Sequence, residues 1–308
     1  MWTEANLYYA AGALSGNDDS VRIDPDAVGM TYVGLRVFTL TPGASRIINT
    51  GRDEAIVLPL SGSCLVEADG QAIDLIGRTS VFEGVSDFAY LPINCEARVT
   101  SRAGGEFAVP TSRATNRLRP AYGPAESVAV EVRGAGSATR QVNNFFTPEA
   151  FEADKLISVE VLTPAGNFSS YPPHKHDEFN PACGEAMIEE IYYFRFQGDN
   201  GYGLYRQYAA DGEFDVRSVV RDGDVFLVPK GYHGPSAAVP GHHMYFLNVL
   251  AGPSEKRTMC FCDDPTQHWV RESWKNQKLD PRLPMTGPAS VSHAPSSDVN
   301  VTRVGGNA

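Results

Sequence analysis

The sequence predicts an all-β fold that consists of two successive antiparallel sandwiches or small barrels. Three observations predict this fold. Most apolar segments are short, and many alternate apolar with polar side chains, as strands with one buried face do. Turn dipeptides such as Asp69-Gly70 and Asp211-Gly212 separate these segments. The same rhythm of strands and turns occurs in both halves of the 308-residue chain, which indicates an internal duplication.

The first half contains the strands of one module. Its longest alternating segment ends at Pro42-Gly43, and another leads into the hairpin dipeptide Asp69-Gly70. We predict strands at residues 30–41, 55–60, 64–68, 80–82, 88–91 and 96–100.

A bridging stretch, residues 101–141, follows with a predicted strand at 128–132. Thr147-Pro148-Glu149 then has the form of a short helix start with proline at its first position. We predict an N-terminal domain at residues 1–140, a C-terminal domain at 141–286 and a flexible tail at 287–308, because the tail is a polar mixture rich in Ser and Gly.

The second half repeats the strand pattern of the first. A long aromatic strand ends at Gly198, and the last clear strand is closed by Gly252-Pro253. We predict strands at residues 157–163, 188–196, 204–208, 216–220, 225–228 and 243–250.

Composition restricts the classes of partner. The net charge of −11 argues against nucleic acid or an anionic membrane, although a local cationic pocket could still hold a small anion. The N-terminus lacks the basic start and apolar run of a signal peptide, and no apolar stretch is long enough to span a membrane. Five scattered cysteines fit reduced thiols, and we assign Cys260 and Cys262 structural roles. We therefore expect a cytoplasmic protein.

All seven histidines lie in the second half of the chain, and three of them form a pattern typical of a metal site. His174 and His176 are two residues apart, so on a strand both imidazoles point to one face. His233 follows the turn Pro229-Lys230-Gly231, at the start of a segment that returns to the barrel. Neutral imidazoles suit Zn²⁺, Fe²⁺, Mn²⁺ or Ni²⁺.

Glu190 is the carboxylate that we expect to complete this site. It opens the aromatic strand and shares a face with Tyr192, Phe194 and Phe196, which would line the barrel interior. Glu189 has the opposite facing. Thirteen residues separate His176 from Glu190, and three acidic residues in this insertion are alternatives: Asp177, Glu178 and Glu185.

The remaining histidines are weaker candidates. His242 and His243 are adjacent, so at most one of them could point to the site, and His268 and His293 lack a supporting pattern.

These motifs resemble the cupin superfamily, whose first motif has His-x-His and a glutamate that opens a strand, and whose second has a Pro-x-Gly turn followed by histidine. More closely, five segments are similar to the 5-deoxy-glucuronate isomerase family of inositol breakdown, a relative of the 4-deoxy-threo-hexosulose-uronate ketol-isomerases. The segments are Ser170-Tyr-Pro-Pro-His-Lys-His-Asp177, Glu189-Glu-Ile-Tyr-Tyr-Phe194, Pro229-Lys-Gly-Tyr-His-Gly-Pro235, Leu247-Asn-Val-Leu-Ala-Gly-Pro253 and Asp280-Pro-Arg-Leu-Pro-Met285.

The resemblance implies a bicupin with two double-stranded β-helix (jelly-roll) barrels. The N-terminal barrel has no histidine where a first cupin motif should fall, around residues 49–55, and so resembles a cupin without a metal. The C-terminal barrel would hold one divalent metal through His174, His176, Glu190 and His233, and the expected ion is zinc or manganese.

The resemblance also implies aldose–ketose isomerisation of 5-deoxy-D-glucuronate to 5-dehydro-2-deoxy-D-gluconate. A divalent metal would stabilise the enediolate, and a base would carry the proton between C2 and C1. Metal-bound hydroxide, Glu178 and Glu189 are the alternatives for this base. The substrate carboxylate needs a cation, for which Arg206 and Lys230 are candidates, and Tyr245 is a candidate partner for a hydroxyl.

Two other functions stay open from the residues alone. A cupin with these ligands can be a metal-dependent dioxygenase, or it can bind a sugar acid without turnover. Exposed sheet edges favour a homo-oligomer.

Overall fold

The computed structural model describes residues 2–180, 182, 184–287 and 301–302. These residues form an all-β protein with two short α-helices, α1 (Glu4–Leu7) and α2 (Trp269–Ser273). Single 3-10 turns occur at Pro25–Ala27, Ala125–Ser127, Gly136–Ala138 and Trp274–Asn276. None of the helices in this described part of the chain has the length and apolar character that crossing a membrane requires.

The first ten strands come before residue 124. They are β1 (Tyr8–Tyr9), β2 (Val21–Ile23), β3 (Val33–Leu40), β4 (Ser45–Asn49), β5 (Asp53–Ala68), β6 (Gln71–Arg78), β7 (Phe88–Leu91), β8 (Glu96–Thr100), β9 (Gly105–Arg113) and β10 (Ala121–Gly123).

The other described strands follow in the second half. They are β11 (Ala129–Arg133), β12 (Arg140–Phe146), β13 (Ile157–Thr163), β14 (Phe168–Ser169), β15 (His174–Lys175), β16 (Glu189–Phe196), β17 (Tyr202–Tyr208), β18 (Asp215–Arg221), β19 (Val225–Val228), β20 (Tyr232–Ala238), β21 (Met244–Ala251), β22 (Cys262–Asp263) and β23 (Val301–Thr302).

The N-terminal barrel is one sheet with the order β10-β7-β5-β9-β3-β2, to which β6 and β8 add along β5, and β4 along β8. The 16-residue strand β5 pairs with β7 and β9 along its first part and with β6 and β8 along its last part. Its register shifts near Ser61 and Gly62, between these two parts. Such a bulge bends the strand and lets the sheet curl over a core. That core is filled with apolar side chains, among them Phe38, Val57, Val66, Leu75 and Phe107.

The C-terminal barrel has two sheets. The larger sheet has the order β1-β19-β16-β21-β13-β12-β11-β23, and the smaller has the order β18-β17-β20-β15-β22 with β14 beside β20. Aromatic side chains such as Phe194, Tyr205, Phe226 and Phe246 pack between them. β1, β11 and part of β12 lie within the predicted N-terminal domain, residues 1–140, yet pair in this sheet.

The two barrels share a second apolar core, because the larger sheet packs its outer face on the N-terminal barrel. Side chains from both barrels enter this core, including Val33, Leu35 and Ile56 from the first and Ile191, Leu247 and Val249 from the second. All eight residues of β21 are therefore buried. A strand buried on both faces reads as a continuous apolar run.

The predicted all-β bicupin fold is confirmed, while a few local predictions were wrong. Residues 80–82 form a turn, in which the Glu83 amide donates to the Ser80 carbonyl at 3.0 Å. The helix expected at Thr147 is also a turn, because Phe146 ends a strand and the chain reverses there. Residues 55–60 and 64–68, predicted as two strands, belong to one strand, because the residues between them form a bulge at Ser61-Gly62 instead of ending the strand.

The cysteines differ in part from the expectation of reduced thiols. Cys64, Cys95 and Cys260 are free, but Cys262 is disulfide-bonded. Spacing along the chain does not report which thiols the fold brings together. The tail predicted to be flexible, residues 287–308, lies outside the described residues apart from Gly287 and β23, and His293 lies outside them as well.

Candidate metal centre and its cavity

Three imidazoles meet at the inner face of the smaller sheet. His174 on β15 is paired across the sheet with His233 on β20, and His176 follows two residues later. One ligand nitrogen from each of the three lies within 4.8 Å of the others. Gly231 precedes His233 with a φ of +89°, and a Cβ there would lie 2.7 Å from the Tyr208 carbonyl, so this turn requires glycine.

Backbone carbonyls orient each imidazole. Nδ1 of His176 lies 2.8 Å from the Ile188 carbonyl, Nδ1 of His174 lies 3.4 Å from that of Pro172, and Nδ1 of His233 lies 3.3 Å from that of Gly231. A carbonyl only accepts, so a proton on Nδ1 satisfies these contacts and leaves each Nε2 as a lone-pair donor. This arrangement is usual for histidines that bind metals.

Glu190 completes the cluster from the opposite sheet. It is 4% exposed, and its Oε2 lies 3.0 Å from Nε2 of His176 and 3.2 Å from Nε2 of His233. The His233 nitrogen makes no well-formed hydrogen bond within the described residues, which leaves a buried polar atom unsatisfied. A cation among these four groups would satisfy it, so the donor set fits a divalent metal.

The charges of these groups are coupled. Burial, followed by the neighbouring imidazoles of His233 and His176, holds the pKa of His174 well below its usual value of 6.5. Burial opposes protonation of His176, but the Glu190 carboxylate outweighs it and raises that pKa. Burial also opposes ionisation of Glu190, yet the two imidazoles hold its pKa below 4.5. Glu190 therefore stays a carboxylate, ready to bind a cation.

The other acidic residues near the motif have different partners. Asp177 accepts the Gly231 amide at 2.7 Å and Glu185 accepts the Asp177 amide at 3.0 Å. The exposed Glu178 pairs with Lys175 at 3.3 Å. Glu189 points the other way, as strand alternation requires, and accepts the Tyr32 amide of the N-terminal barrel at 2.7 Å.

A cavity of about 750 Å³ opens over the cluster. His174, His176 and Glu190 form one part of its wall, with Tyr192 and Phe246 beside them. The rest of the wall includes three arginines: Arg133, Arg140 and Arg271. The same cavity is thus lined by the metal-binding groups and by three arginines, although the protein as a whole is acidic.

The three predicted substrate ligands lie elsewhere. Arg206 is on the outer face of β17, where its guanidinium pairs with Asp215 at 2.9 Å. Lys230 forms an ion pair with Glu213 at the surface. Tyr245 faces the core between the barrels and donates to Glu160 at 2.8 Å. None of the three lines the cavity. The candidates for binding the substrate are therefore polar groups of the cavity wall rather than Arg206, Lys230 and Tyr245.

Sequence reasoning missed Arg140 and Trp274, which line the cavity. Arg140 begins β12, in the stretch read as a bridge, and Trp274 lies in a segment without a motif. Asn248 also lines the cavity, and here a signal existed. It pairs across the sheet with Tyr192, so it shares the inward face that was assigned to the aromatic strand.

The weaker histidines have local partners. Nδ1 of His242 lies 3.0 Å from the Gln197 carbonyl, His243 accepts the Ala165 amide at 2.9 Å, and His268 pairs with Asp263 at 2.9 Å. Among the described residues, only His174, His176 and His233 form a group that could hold a metal ion.

Tyr245→Phe tests whether Tyr245 belongs to the core between the barrels, as the structure indicates, rather than to the substrate site. We expect the free energy of unfolding to fall by about 1.5–3 kcal/mol, because a buried hydrogen bond to a charged acceptor is lost. Metal content and KM should stay unchanged, since the side chain faces away from the cavity. Denaturant unfolding would measure the stability, mass spectrometry the metal content and steady-state kinetics the KM. A tenfold higher KM at unchanged stability would contradict the assignment.

Comparisons with known proteins agree with these features. The KduI/IolB family model matches residues 8–270. The 5-deoxy-glucuronate isomerase of Geobacillus thermodenitrificans is 41% identical over 255 residues, 82% of this chain and 91% of that protein. The enzyme of the same name from Bacillus subtilis strain 168 is 34% identical over 245 residues, 79% of this chain and 89% of that protein.

Solved structures show the same architecture. An IolB-like protein from Salmonella typhimurium superimposes with a TM-score of 0.81 at 34% identity, covering 86% of this chain and 99% of that one. Oxalate decarboxylase from Bacillus subtilis has a TM-score of 0.60 at 13% identity, covering 85% and 80%. The second likeness concerns the fold alone.

Proposed function

Because this chain belongs to the KduI/IolB family, whose curated relatives are 5-deoxy-glucuronate isomerases, we propose that it interconverts 5-deoxy-D-glucuronate and 5-dehydro-2-deoxy-D-gluconate in myo-inositol catabolism. The observation that carries this proposal is the cluster of His174, His176, His233 and Glu190 beside a cavity whose wall also contains arginines. A sugar acid offers an aldehyde to the metal-binding cluster and a carboxylate to an arginine of the same cavity.

The metal in this proposal is one divalent ion, zinc or manganese, held by His174, His176, His233 and Glu190. Such an ion supplies Lewis acidity, which lowers the barrier to removing the proton next to a carbonyl. The protein fixes the imidazoles through the carbonyls of Pro172, Ile188 and Gly231, so that the site is formed before substrate arrives.

The proton that moves between C2 and C1 needs a carrier inside the cavity. Glu178 and Glu189 do not line it, because one is exposed beside Lys175 and the other binds backbone amides of the N-terminal barrel. Among the described residues, the carboxylates that line the cavity are Glu131, Glu149 and Glu190. The candidates for the base are therefore groups in this wall rather than Glu178.

The proposal extends to assembly and location. The hairpin of β17 and β18 presents Leu204, 51% exposed, directly across from Val219, 43% exposed. β18 ends the smaller sheet, and an edge strand with apolar side chains can pair with a second copy. We therefore propose a homo-oligomer that acts on a small anionic sugar acid in the cytoplasm, without a nucleic-acid partner.

The test is NMR of the purified protein mixed with 5-deoxy-D-glucuronate, before and after chelation and metal add-back. We expect signals of the 5-keto acid to appear, to stop after chelation and to return with one or two divalent ions. A folded protein that turns over no substrate with any divalent ion would refute the isomerase proposal. Measuring O₂ uptake would then separate a dioxygenase from a binding protein.

A further inference from the structure

Arg140 is the most unusual charged group of the cavity. It begins β12 and is 7% exposed. A buried charge is normally paired, because moving it out of water is costly. Yet no carboxylate of the described residues forms an ion pair with Arg140, and the hydrogen bond of its guanidinium runs from Nη1 to the Ala138 carbonyl at 3.1 Å.

The neighbouring arginines of the cavity do have carboxylate partners. Arg133 holds Glu131 through two hydrogen bonds of 2.7 Å, and Arg271 binds Asp263 at 2.7 Å. Glu131 is near enough to act on Arg140, but both of its oxygens are engaged by Arg133. Burial, and then the repulsion from Arg133 and Arg271, lowers the pKa of Arg140 to about 9. The pocket therefore contains a buried guanidinium that no carboxylate of the described residues contacts directly.

Trp274 forms part of the same pocket. The guanidinium of Arg140 lies 5.5 Å from the Trp274 ring centroid, and that of Arg271 lies 5.4 Å from it. The indole Nε1 of Trp274 is buried and has no hydrogen-bond partner among the described residues. A buried donor without an acceptor also indicates a missing polar ligand.

The backbone leaves room for this guanidinium. Gly134 has a φ of +85°, and a Cβ there would lie 2.7 Å from Nη1 of Arg140 and 2.1 Å from the Ala138 carbonyl. A larger residue would clash first with the Ala138 carbonyl, which is the acceptor of the Arg140 guanidinium, so glycine at this position preserves the contact that holds Arg140.

We propose that Arg140, assisted by Nε1 of Trp274, is the carboxylate anchor of the substrate and makes this cavity selective for sugar acids over neutral sugars. The guanidinium presents a planar fork that matches both carboxylate oxygens, and water is excluded on several sides. Arg140 and His174 line the same cavity, so one small molecule can contact both the guanidinium and the metal-binding cluster. This inference rests on the proposed function for the identity of the sugar acid.

The experiment compares a sugar acid with its neutral counterpart on the full-length, metal-loaded protein. The probes are 5-deoxy-D-glucuronate and the analogue whose carboxylate is reduced to a primary alcohol. We expect Arg140→Gln to weaken binding of the acid roughly 30- to 100-fold in calorimetry and in KM, while affinity for the neutral analogue changes less than about threefold. Arg140→Lys should restore part of the selectivity, because it keeps the charge but loses the fork.

Two further variants control for structural effects. Arg206→Gln removes an arginine that lies outside the cavity and should leave both affinities unchanged. Trp274→Phe keeps the ring beneath Arg140 but removes Nε1, and should weaken acid binding about fivefold. If the Arg140 variants fail to fold, Trp274→Phe still tests whether this pocket binds the carboxylate.

The outcomes separate this inference from the proposed function. Calorimetry does not need turnover, so a protein that binds the acid selectively through Arg140 but does not isomerise it would refute the function alone. A folded Arg140→Gln protein that discriminates between acid and neutral sugar as well as the wild type would overturn the anchor. Equal affinity of the wild type for both probes would overturn it too.

Discussion

Replacing His176 with alanine is expected to remove the metal and the isomerase activity together, with a loss of activity greater than about 100-fold. Even residues that only support metal ligands typically cost 10- to 100-fold when changed, and His176 lies within 3.0 Å of Glu190 at the centre of the cluster. Metal content by mass spectrometry and turnover by NMR would be measured on the same samples.

The variant should still fold. The hydrogen bond from Nδ1 of His176 to the Ile188 carbonyl is lost, which costs about 1–3 kcal/mol when the carbonyl stays buried without a partner. His268→Ala is the matched control, because the His268 side chain is 62% exposed and pairs with Asp263 outside the cluster. Full activity in a His176→Ala protein shown to be free of metal would contradict the site assignment.

Glu160→Ala is expected to cause the largest loss of stability, about 3–5 kcal/mol, because it leaves the Arg78 guanidinium buried without its counter-charge. Glu160 on β13 and Arg78 on β6 form an ion pair whose side chains are 1% and 2% exposed. Asn143 and Tyr245 also donate to the Glu160 carboxylate, at 3.0 and 2.8 Å. This network joins the two barrels, so its loss should also loosen them from each other.

Denaturant unfolding followed by tryptophan fluorescence and circular dichroism would measure the effect. The double variant Arg78→Met/Glu160→Leu should recover much of the loss, since apolar side chains of similar size can replace a buried ion pair. Asp215→Ala breaks the exposed pairs with Arg206 and Arg217, and it should cost less than about 1 kcal/mol. A Glu160→Ala protein as stable as the Asp215→Ala protein would show that the interface does not depend on this pair.

The histidines and Glu190 could be predicted because their signals are local. His174-Lys175-His176 needs only the two-residue period of a strand, and Glu190 needs only the facing that separates it from Glu189. Both the strand and the facing follow from side-chain alternation. Asp177 and Glu185 could not be excluded as metal ligands in this way. Asp177 is engaged by the Gly231 amide and Glu185 by the Lys175 ammonium, and these contacts form only when the chain folds.

The substrate-binding residues could not be predicted for the same reason. Arg206 and Lys230 are close in sequence to the metal motif, yet they point outwards and pair with Asp215 and Glu213. Arg140 is 34 residues before His174 and carries no motif of its own. It enters the cavity because β12 pairs with β13 in the sheet that forms the wall.

The all-β class, the two-barrel plan and the four residues of the candidate metal site could be read from the chain alone, because each follows from short-range periodicity and the chemistry of the side chains. Which charges are compensated depends on the folded arrangement. It pairs Arg78 with Glu160 across the barrels, Arg133 with Glu131 beside the cavity, and leaves Arg140 without a carboxylate partner among the described residues. Pairing depends on distances between strands that are far apart in the chain, and no local pattern records those distances.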